Sequence, residues 1–412
     1  DKYRIEASRM KLYQVISRTD EQIARARVNS AREALAAADS GYERPIALGP
    51  IESDVLQNAC PALRVRGLDT DTIQDAGHFD EVWGPYEQLV KAHATDPEVR
   101  HRASTGGVLT ALGQYLLDSE EVDFILHVKA GGRDPSFGEV TISETKGEVL
   151  EAAGSRYGPA APLETIDEVL DRGQPFAFIA KPCDLSALRA LGEHDPRVGQ
   201  LVKAYLSPVC GGTMPPKQLG MFYERMGVAR EDVTALRYRG YGCPGDTVAK
   251  TPEQTVSATY EEFWGEDSSQ WQIPWRCKIC GDGIGDAADV AAADDWPNAA
   301  PDMEAAKTDP GTNVNIVRTK RGKSLVEAAE KAGFLTLGEE VTPAYMTSVQ
   351  PHQMRKKMSA LARWEALEEM GRLKPSSTNL RLEELGQKLT EDQRNEQIEG
   401  VKARVKLGKA QD

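Results

Sequence analysis

From residue 101 onward, apolar runs of strand length alternate with amphipathic stretches of helix length. Ser104-Thr105-Gly106-Gly107 precedes Val108, Leu109, Ala111, Leu112, Tyr115 and Leu116, apolar residues at helical spacing. Val122–Val128 is expected to form a buried strand. A helix over Leu163–Asp171, a strand over Phe176–Ala180 and a helix over Asp184–Leu191 follow. Next come a strand at Leu201–Leu206 and a helix at Pro216–Met226, then a later strand–helix unit at Asn313–Thr319 and Ser324–Ala332. Parallel strands need crossover connections, and helices of this length supply them. The alternation therefore predicts an α/β fold with a mostly parallel sheet over residues 101–345.

The flanks lack that pattern. Residues 1–45 carry a long stretch free of Gly and Pro, with a helix start at Thr19-Asp20, and are read as an N-terminal helical arm. Residues 46–100 are punctuated by Gly49, Pro50, Pro61 and Gly67, which suggests a loop-rich connector with little regular structure. Residues 281–310 hold eight acidic side chains against one lysine and are expected to form a surface excursion. Residues 346–412 are charged and helical with few large apolar side chains. They are read as a C-terminal helical tail, either solvated or a docking surface.

The formal net charge of −14 argues against nucleic acid as a partner. No apolar run approaches the roughly 18 residues of a membrane span, and the start of the sequence has no signal-peptide pattern. A soluble, cytoplasmic protein without a membrane partner is the expectation. Six cysteines in 412 residues are too few for a disulfide scaffold, and in a reducing compartment they read as metal ligands, catalytic thiols or small buried side chains.

Four of them stand in a pattern that metals use. Cys183, in Lys181-Pro182-Cys183-Asp184, falls where a strand should end and a helix begin, and Cys210, before Gly211-Gly212, holds the same place in the next unit. Ligands collect at the carboxyl ends of strands in open α/β sheets, and a helix N-terminus favours a thiolate. Cys277 and Cys280 form a CxxC pair whose sulfurs can reach one metal centre. Four thiolates suit a cubane iron–sulfur cluster or a structural zinc. Read singly, a cysteine at a strand end is a small buried residue and a CxxC can be a redox dithiol. Cys243 is a rival fourth ligand, and Cys60 reads as a bystander.

Ser104-Thr105-Gly106-Gly107 opens a helix, so its backbone N–H groups could meet a phosphate; a tight turn explains the same residues. Arg156 and Tyr157, in Ser155-Arg156-Tyr157-Gly158-Pro159, offer a cation and an aromatic ring, or else a turn with a surface arginine. Lys181 could stabilise a reduced cofactor or substrate carboxylate, or simply balance nearby thiolate charge. His101, His127 and His194 read as structural histidines. Hydrolase and nucleoside-triphosphatase motifs are absent from the sequence.

Over about residues 101–335 the sequence resembles the coenzyme F420 hydrogenase/dehydrogenase beta-subunit family, which includes the 7-hydroxymethyl chlorophyll and 8-vinyl reductases. The resemblance rests on Ser104–Gly107, Lys181–Arg189, Val209-Cys210-Gly211-Gly212, Tyr238–Gly245, Cys277-Lys278-Ile279-Cys280 with Ala287-Ala288-Asp289, and Val317-Arg318-Thr319. It implies FAD and a [4Fe–4S] cluster as cofactors, with Cys183, Cys210, Cys277 and Cys280 as cluster ligands. By the same resemblance, Ser104, Thr105, Gly106 and Gly107 belong to the FAD site, with Arg156 and Tyr157 nearby. The implied activity is that of an oxidoreductase acting on F420 or a small organic substrate, or of an electron-transfer subunit in a larger redox complex. Expected partners are a ferredoxin-like electron carrier or F420, and a partner subunit or further copies of the chain. Many relatives hold another cluster in a cysteine-rich N-terminal segment; here the matching region, Leu48 to Leu63, keeps only Cys60, so a second cluster on this chain is not expected. Cys243 stands where relatives often have tryptophan.

Overall fold

The computed structural model describes residues 58–132, 134–264 and 273–410; the segment read as a helical arm lies outside them. Eight strands build the central sheet: β1 Gln88–Ala94, β2 Phe124–Ala130, β3 Gly138–Ser143, β4 Phe176–Ile179, β5 Val202–Pro208, β6 Val290–Asp294, β7 Asn313–Val317 and β8 Leu335–Glu340. Their spatial order is β8-β1-β7-β6-β5-β4-β2-β3. The centre, β6-β5-β4-β2, is parallel, and antiparallel strands extend it on both sides. The expected α/β class holds, with its parallel pairings where the cysteine-bearing crossovers lie.

Side chains alternate across a strand, so each strand feeds two apolar layers. Val90, Ala92, Ile125, Ala177, Ala204 and Val290 pack on one face with α1 (Val108–Asp118) and the later α3 (Lys320–Lys331). Leu89, Phe124, Leu126, Phe176, Phe178 and Ile316 pack on the other, chiefly against α2 (Pro182–Gly192). Phe124 and Phe176, paired across β2 and β4, stack with ring centroids 5.1 Å apart. Burial of such a ring contributes about 1.5–3 kcal/mol. A smaller antiparallel sheet, Ala235–Arg237, Thr247–Lys250 and Thr255–Ala258, carries its own core around Phe222, Tyr238 and Phe263.

Three segments depart from their sequence reading. Regular structure enters the supposed connector: Gln88–Ala94 is an interior strand, in which buried Val90, Ala92 and Ala94 alternate with half-buried Lys91 and His93. Of the expected surface excursion only residues 297–310 lie largely at the surface; residues 281–293 are buried throughout and lead β6 into the middle of the sheet. Its acids are neutralised by distant cations: Asp286 pairs with Lys357, with Arg381 at 2.6 Å and with Arg318 at 3.9 Å. The C-terminal helices, α4 (Pro351–Met358), α5 (Ala360–Glu369) and α6 (Glu391–Lys406), are not a solvated tail. Trp364, Leu367, Leu382, Ile398 and Val401 form a core with Val65, Trp275 and Ile279. A parallel pairing of Arg64–Arg66 with Ser376–Thr378 anchors this layer.

Candidate metal and cofactor site

Strand β4 ends at Ile179, Lys181 caps α2, and Cys183 sits in its first turn. Strand β5 ends at Pro208, two residues before Cys210. The CxxC pair follows from Trp275–Lys278, a single helical turn placed by Trp275 in the C-terminal core. These elements bring Cys183, Cys210, Cys277 and Cys280 to the lining of one cavity of about 50 Å3, along with Lys181, Gly212, Thr213, Arg276, Lys356 and Trp364. One water needs roughly 10–15 Å3 on this measure, so the void suits a group several atoms across. Among the described residues, no three His, Cys, Asp or Glu side chains close on a point as they do around a single ion. Four thiols lining one void match the donor set of a [4Fe–4S] group.

The backbone around the thiols is tightly held. Gly212 has φ +134°, and a Cβ there would lie 3.3 Å from the Cys277 Cβ, so a side chain would be both strained and crowded against a candidate ligand. Cys210 N–H donates to Gly283 at 2.7 Å, and Gln353 Nε2 of α4 donates to the Cys210 carbonyl at 3.0 Å. From α5, Arg363 Nη1 donates to the Lys278 carbonyl at 2.6 Å and Trp364 Nε1 to the Ile279 carbonyl at 2.8 Å. Both residues inside the CxxC are therefore pinned by the C-terminal layer.

Electrostatics at the cavity do not favour bare thiolates. Burial, then the Asp184 carboxylate, pushes the Cys183 thiol well up despite Arg276 and Lys181, and burial raises Cys210. The helix N-terminus is outweighed here, and these thiols would become thiolates only with an added positive charge beside them. Burial opposes the charge on Lys181, yet Asp184, 2.8 Å away, and Cys183 hold its ammonium above the usual lysine range. Lys181 is thus a fixed cation at the cavity wall.

The second group of expected site residues also converges, though not as the glycine motif implied. A Cβ on Gly106 would meet Asn313 N at 2.7 Å and Ala92 O at 2.9 Å, and Gly107, φ +79°, caps α1 against Val99 and Ala94. Both glycines serve close packing of α1 on β1 and β7. The polar centre is instead Arg239, which lies within the Tyr238–Gly245 motif. Its Nη2 donates to the Ser104 carbonyl at 2.8 Å and to Thr105 Oγ1 at 3.1 Å. Its Nη1 reaches Asp294 Oδ2 at 3.1 Å and the Tyr157 hydroxyl at 3.3 Å, and the guanidinium lies 4.5 Å from the Trp296 ring. Burial works against that charge, but Asp294 more than compensates. Arg156 Nη1 donates to Leu236 O at 2.9 Å. Among the described residues the Nε atoms of Arg156 and Arg239 are buried without a hydrogen-bond partner. Two orphan donors beside an aromatic cluster fit an anionic, ring-bearing cofactor such as a flavin.

Cys243 lies apart from the cysteine cavity. Its Sγ accepts from Trp296 Nε1 at 3.4 Å, and burial lifts its thiol to about 11. Cys60 is buried with Ala62 and Leu63; its neighbours Pro61 and Ala62, but not Cys60, line the cavity. His127 hydrogen-bonds Ser143 within the sheet, as a structural histidine does. No described helix is long and apolar enough to cross a membrane.

A mixed α/β sheet with cysteines at the ends of its parallel strands defines the class, and comparison with known proteins defines the family. The model for the N-terminal part of the coenzyme F420 hydrogenase/dehydrogenase beta subunit matches residues 89–167, and that for its C-terminal part matches residues 173–342. The chain belongs to this family of oxidoreductase subunits. An F420-dependent formate dehydrogenase subunit beta of Methanocaldococcus jannaschii is 27% identical over 257 residues, 61% of this chain and 61% of that protein. The chain therefore spans about three fifths of that relative's length. A coenzyme F420 hydrogenase subunit beta of Methanothermobacter thermautotrophicus is 24% identical over 298 residues, 70% of this chain and 98% of that protein. In fold, the chain is similar to one chain of the F420-reducing [NiFe] hydrogenase complex from Methanosarcina barkeri, with TM-score 0.54 and 20% identity over 71% of this chain and 94% of that one.

Proposed function

We propose that the chain is an iron–sulfur flavoprotein subunit of an F420-linked or related oxidoreductase, with Cys183, Cys210, Cys277 and Cys280 as ligands of one [4Fe–4S] cluster. The observation that carries this reading is the convergence of those four thiols on one cavity at the ends of adjacent parallel strands. Ser104, Thr105, Gly106, Gly107, Arg156 and Tyr157, together with Arg239, would hold FAD. When bound, a flavin exchanges electron pairs with an organic molecule, while a [4Fe–4S] cluster passes single electrons to a partner.

The protein's own contribution is placement and charge. Lys181 keeps a buried positive charge beside the thiols and would offset the negative charge of a thiolate-ligated cluster. Arg156 and Arg239 offer unspent donors to an anion, while Tyr157, Tyr260 and Trp296 make the surroundings aromatic and dry. Helices α4 and α5 cover the cavity and limit water. Because its relatives are named as subunits, electron exchange with a partner subunit or a ferredoxin-like carrier suits the reading, with F420 or a small organic molecule at the flavin.

Anaerobic purification with iron, sulfide and flavin assays tests the proposal. About four irons and one FAD per chain, with the broad visible absorption, are expected. Zinc without flavin would overturn it.

A further inference from the structure

Helices α5 and α6 pack side by side, and they bring the end of α6 against the CxxC turn. Val405 and Ala410 lie on the core that also holds Trp275 and Ile279. Arg363 of α5 links the parts: its Nη1 donates to the Lys278 carbonyl at 2.6 Å, while its Nε and Nη2 donate to Gln397 Oε1 of α6 at 3.0 and 2.8 Å. Arg404 follows Gln397 by about two turns and shares its face of α6. The positive field of Arg404 and Lys409 reaches Lys278, adding to burial in depressing its ammonium, and Arg404 does the same at Arg363. The end of α6 thus stands beside the turn that carries Cys277 and Cys280.

This end is positive and open to solvent. From Lys402 to Ala410 the sequence holds Lys402, Arg404, Lys406 and Lys409 and no acid, in a chain of net charge −14. The acids of the neighbouring turns are already engaged: Glu365 pairs with Arg394, and Glu369 and Glu399 pair with Lys402 at 2.8 and 3.3 Å. Arg404 and Lys409 are exposed, and among the described residues neither has a carboxylate partner. Arg404 Nη1 donates to the Gly400 carbonyl at 2.9 Å, a neutral acceptor that leaves the guanidinium charge whole. Between the two cations Leu407 is 67% exposed. A large apolar side chain flanked by charge suits a small, transient protein interface, and the sign of the charge selects an acidic partner. Arg363, Arg404, Leu407 and Lys409 all lie beyond residue 342, where the family match ends, so this face belongs to the chain's own C-terminal layer.

We infer that Arg404, Leu407 and Lys409 form a docking face for an acidic one-electron carrier protein, which they hold beside Cys277 and Cys280. The inference rests on the cluster reading above for its purpose, yet binding to the face is measured without reference to iron. Steering by exposed cations speeds association and weakens as salt screens it.

The full-length protein is titrated by calorimetry with an acidic plant-type [2Fe–2S] ferredoxin and an acidic bacterial [4Fe–4S] ferredoxin, at low and at physiological ionic strength. Iron is assayed on the same samples: iron content judges the cluster reading, and affinity judges the face. Arg404→Glu/Lys409→Glu and Lys409→Glu are compared with Lys331→Glu, a reversal at the exposed lysine that ends α3, and thermal melts check folding. At least one ferredoxin should bind the wild type, less tightly as salt rises. The double variant should bind it at least about tenfold more weakly, Lys409→Glu several-fold more weakly, and Lys331→Glu within about twofold of wild type. The inference is overturned if neither ferredoxin binds the wild type at millimolar concentration, or if the folded double variant binds as the wild type does. Equal loss in Lys331→Glu and Lys409→Glu would also overturn it, as would self-association of the wild type that excludes the ferredoxins and is abolished in the double variant.

Discussion

The backbone N–H of Met214 donates to the carbonyl of Tyr157 at 2.6 Å, and this bond joins the two candidate sites. Thr213, one residue earlier, lines the cysteine cavity, and the Tyr157 hydroxyl lies 3.3 Å from Arg239. The chain beside Arg239 and the chain beside the cysteines are thus tied together directly through the backbone.

Cys277→Ser should reduce iron from about four per chain to well under half of that and remove the broad visible absorption. Cys243→Ser should leave both intact, since Cys243 is bound up with Trp296 outside the cavity. Metal analysis of the two variants side by side checks this, and equal loss in both would count against the ligand set.

Arg239→Met should lower bound flavin at least about tenfold, the equivalent of about 1.4 kcal/mol. It should also destabilise the fold by roughly 3–5 kcal/mol, because Asp294 would be left without its principal cation. Flavin stoichiometry and chemical denaturation read the two effects separately. Unchanged flavin in a folded Arg239→Met protein would exclude Arg239 from the site.

Trp364→Ala should cost roughly 3–5 kcal/mol, as a large aromatic leaves a buried core, and should lower iron retention by freeing the Ile279 carbonyl. Trp364→Phe keeps most of the packing and loses the N–H bond, a change of about 1 kcal/mol. Iron release on mild heating should rank wild type, Phe variant, Ala variant. A ranking in which the Ala variant holds iron as well as wild type would show that α5 does not position the CxxC.

His127 titrates at about 4 because burial opposes its charge, with Lys129 adding to the effect. The unfolded chain takes up the proton near pH 6.5, so the unfolded state binds more protons between those values. Stability should be full above about pH 6.5 and fall as pH drops toward 4, by roughly 2–3 kcal/mol from this residue. Denaturation midpoints of wild type and His127→Gln across that range should converge at low pH. Parallel curves would refute the assignment.

Much of the core was legible because strands and helices here write their burial into local spacing. The helix Val108–Asp118 was expected from its apolar periodicity, and the strands at Phe176 and Val202 from short apolar runs. Strand β1 was not, although Val90, Ala92 and Ala94 alternate with Lys91 and His93 as in a half-buried strand: its interior place in the sheet depends on distant chain, Lys91 reaching Asp295 at 3.3 Å and Glu339 at 2.9 Å. The acidic stretch after Cys280 misled for the same reason, with Asp286 buried against Lys357, Arg381 and Arg318.

By itself the sequence determined the α/β class, the four cysteines and the motifs around them, because these depend on residue type at short spacing. Tertiary structure alone decided that those thiols face one cavity and that Cys243 does not. It also decided that Arg239, rather than the glycine pair, is the polar centre of the second site. Such outcomes rest on contacts across tens to hundreds of residues, such as Ser104 with Arg239 or Ile279 with Trp364. Local periodicity carries no record of which distant chain will supply the compensating charge or bond.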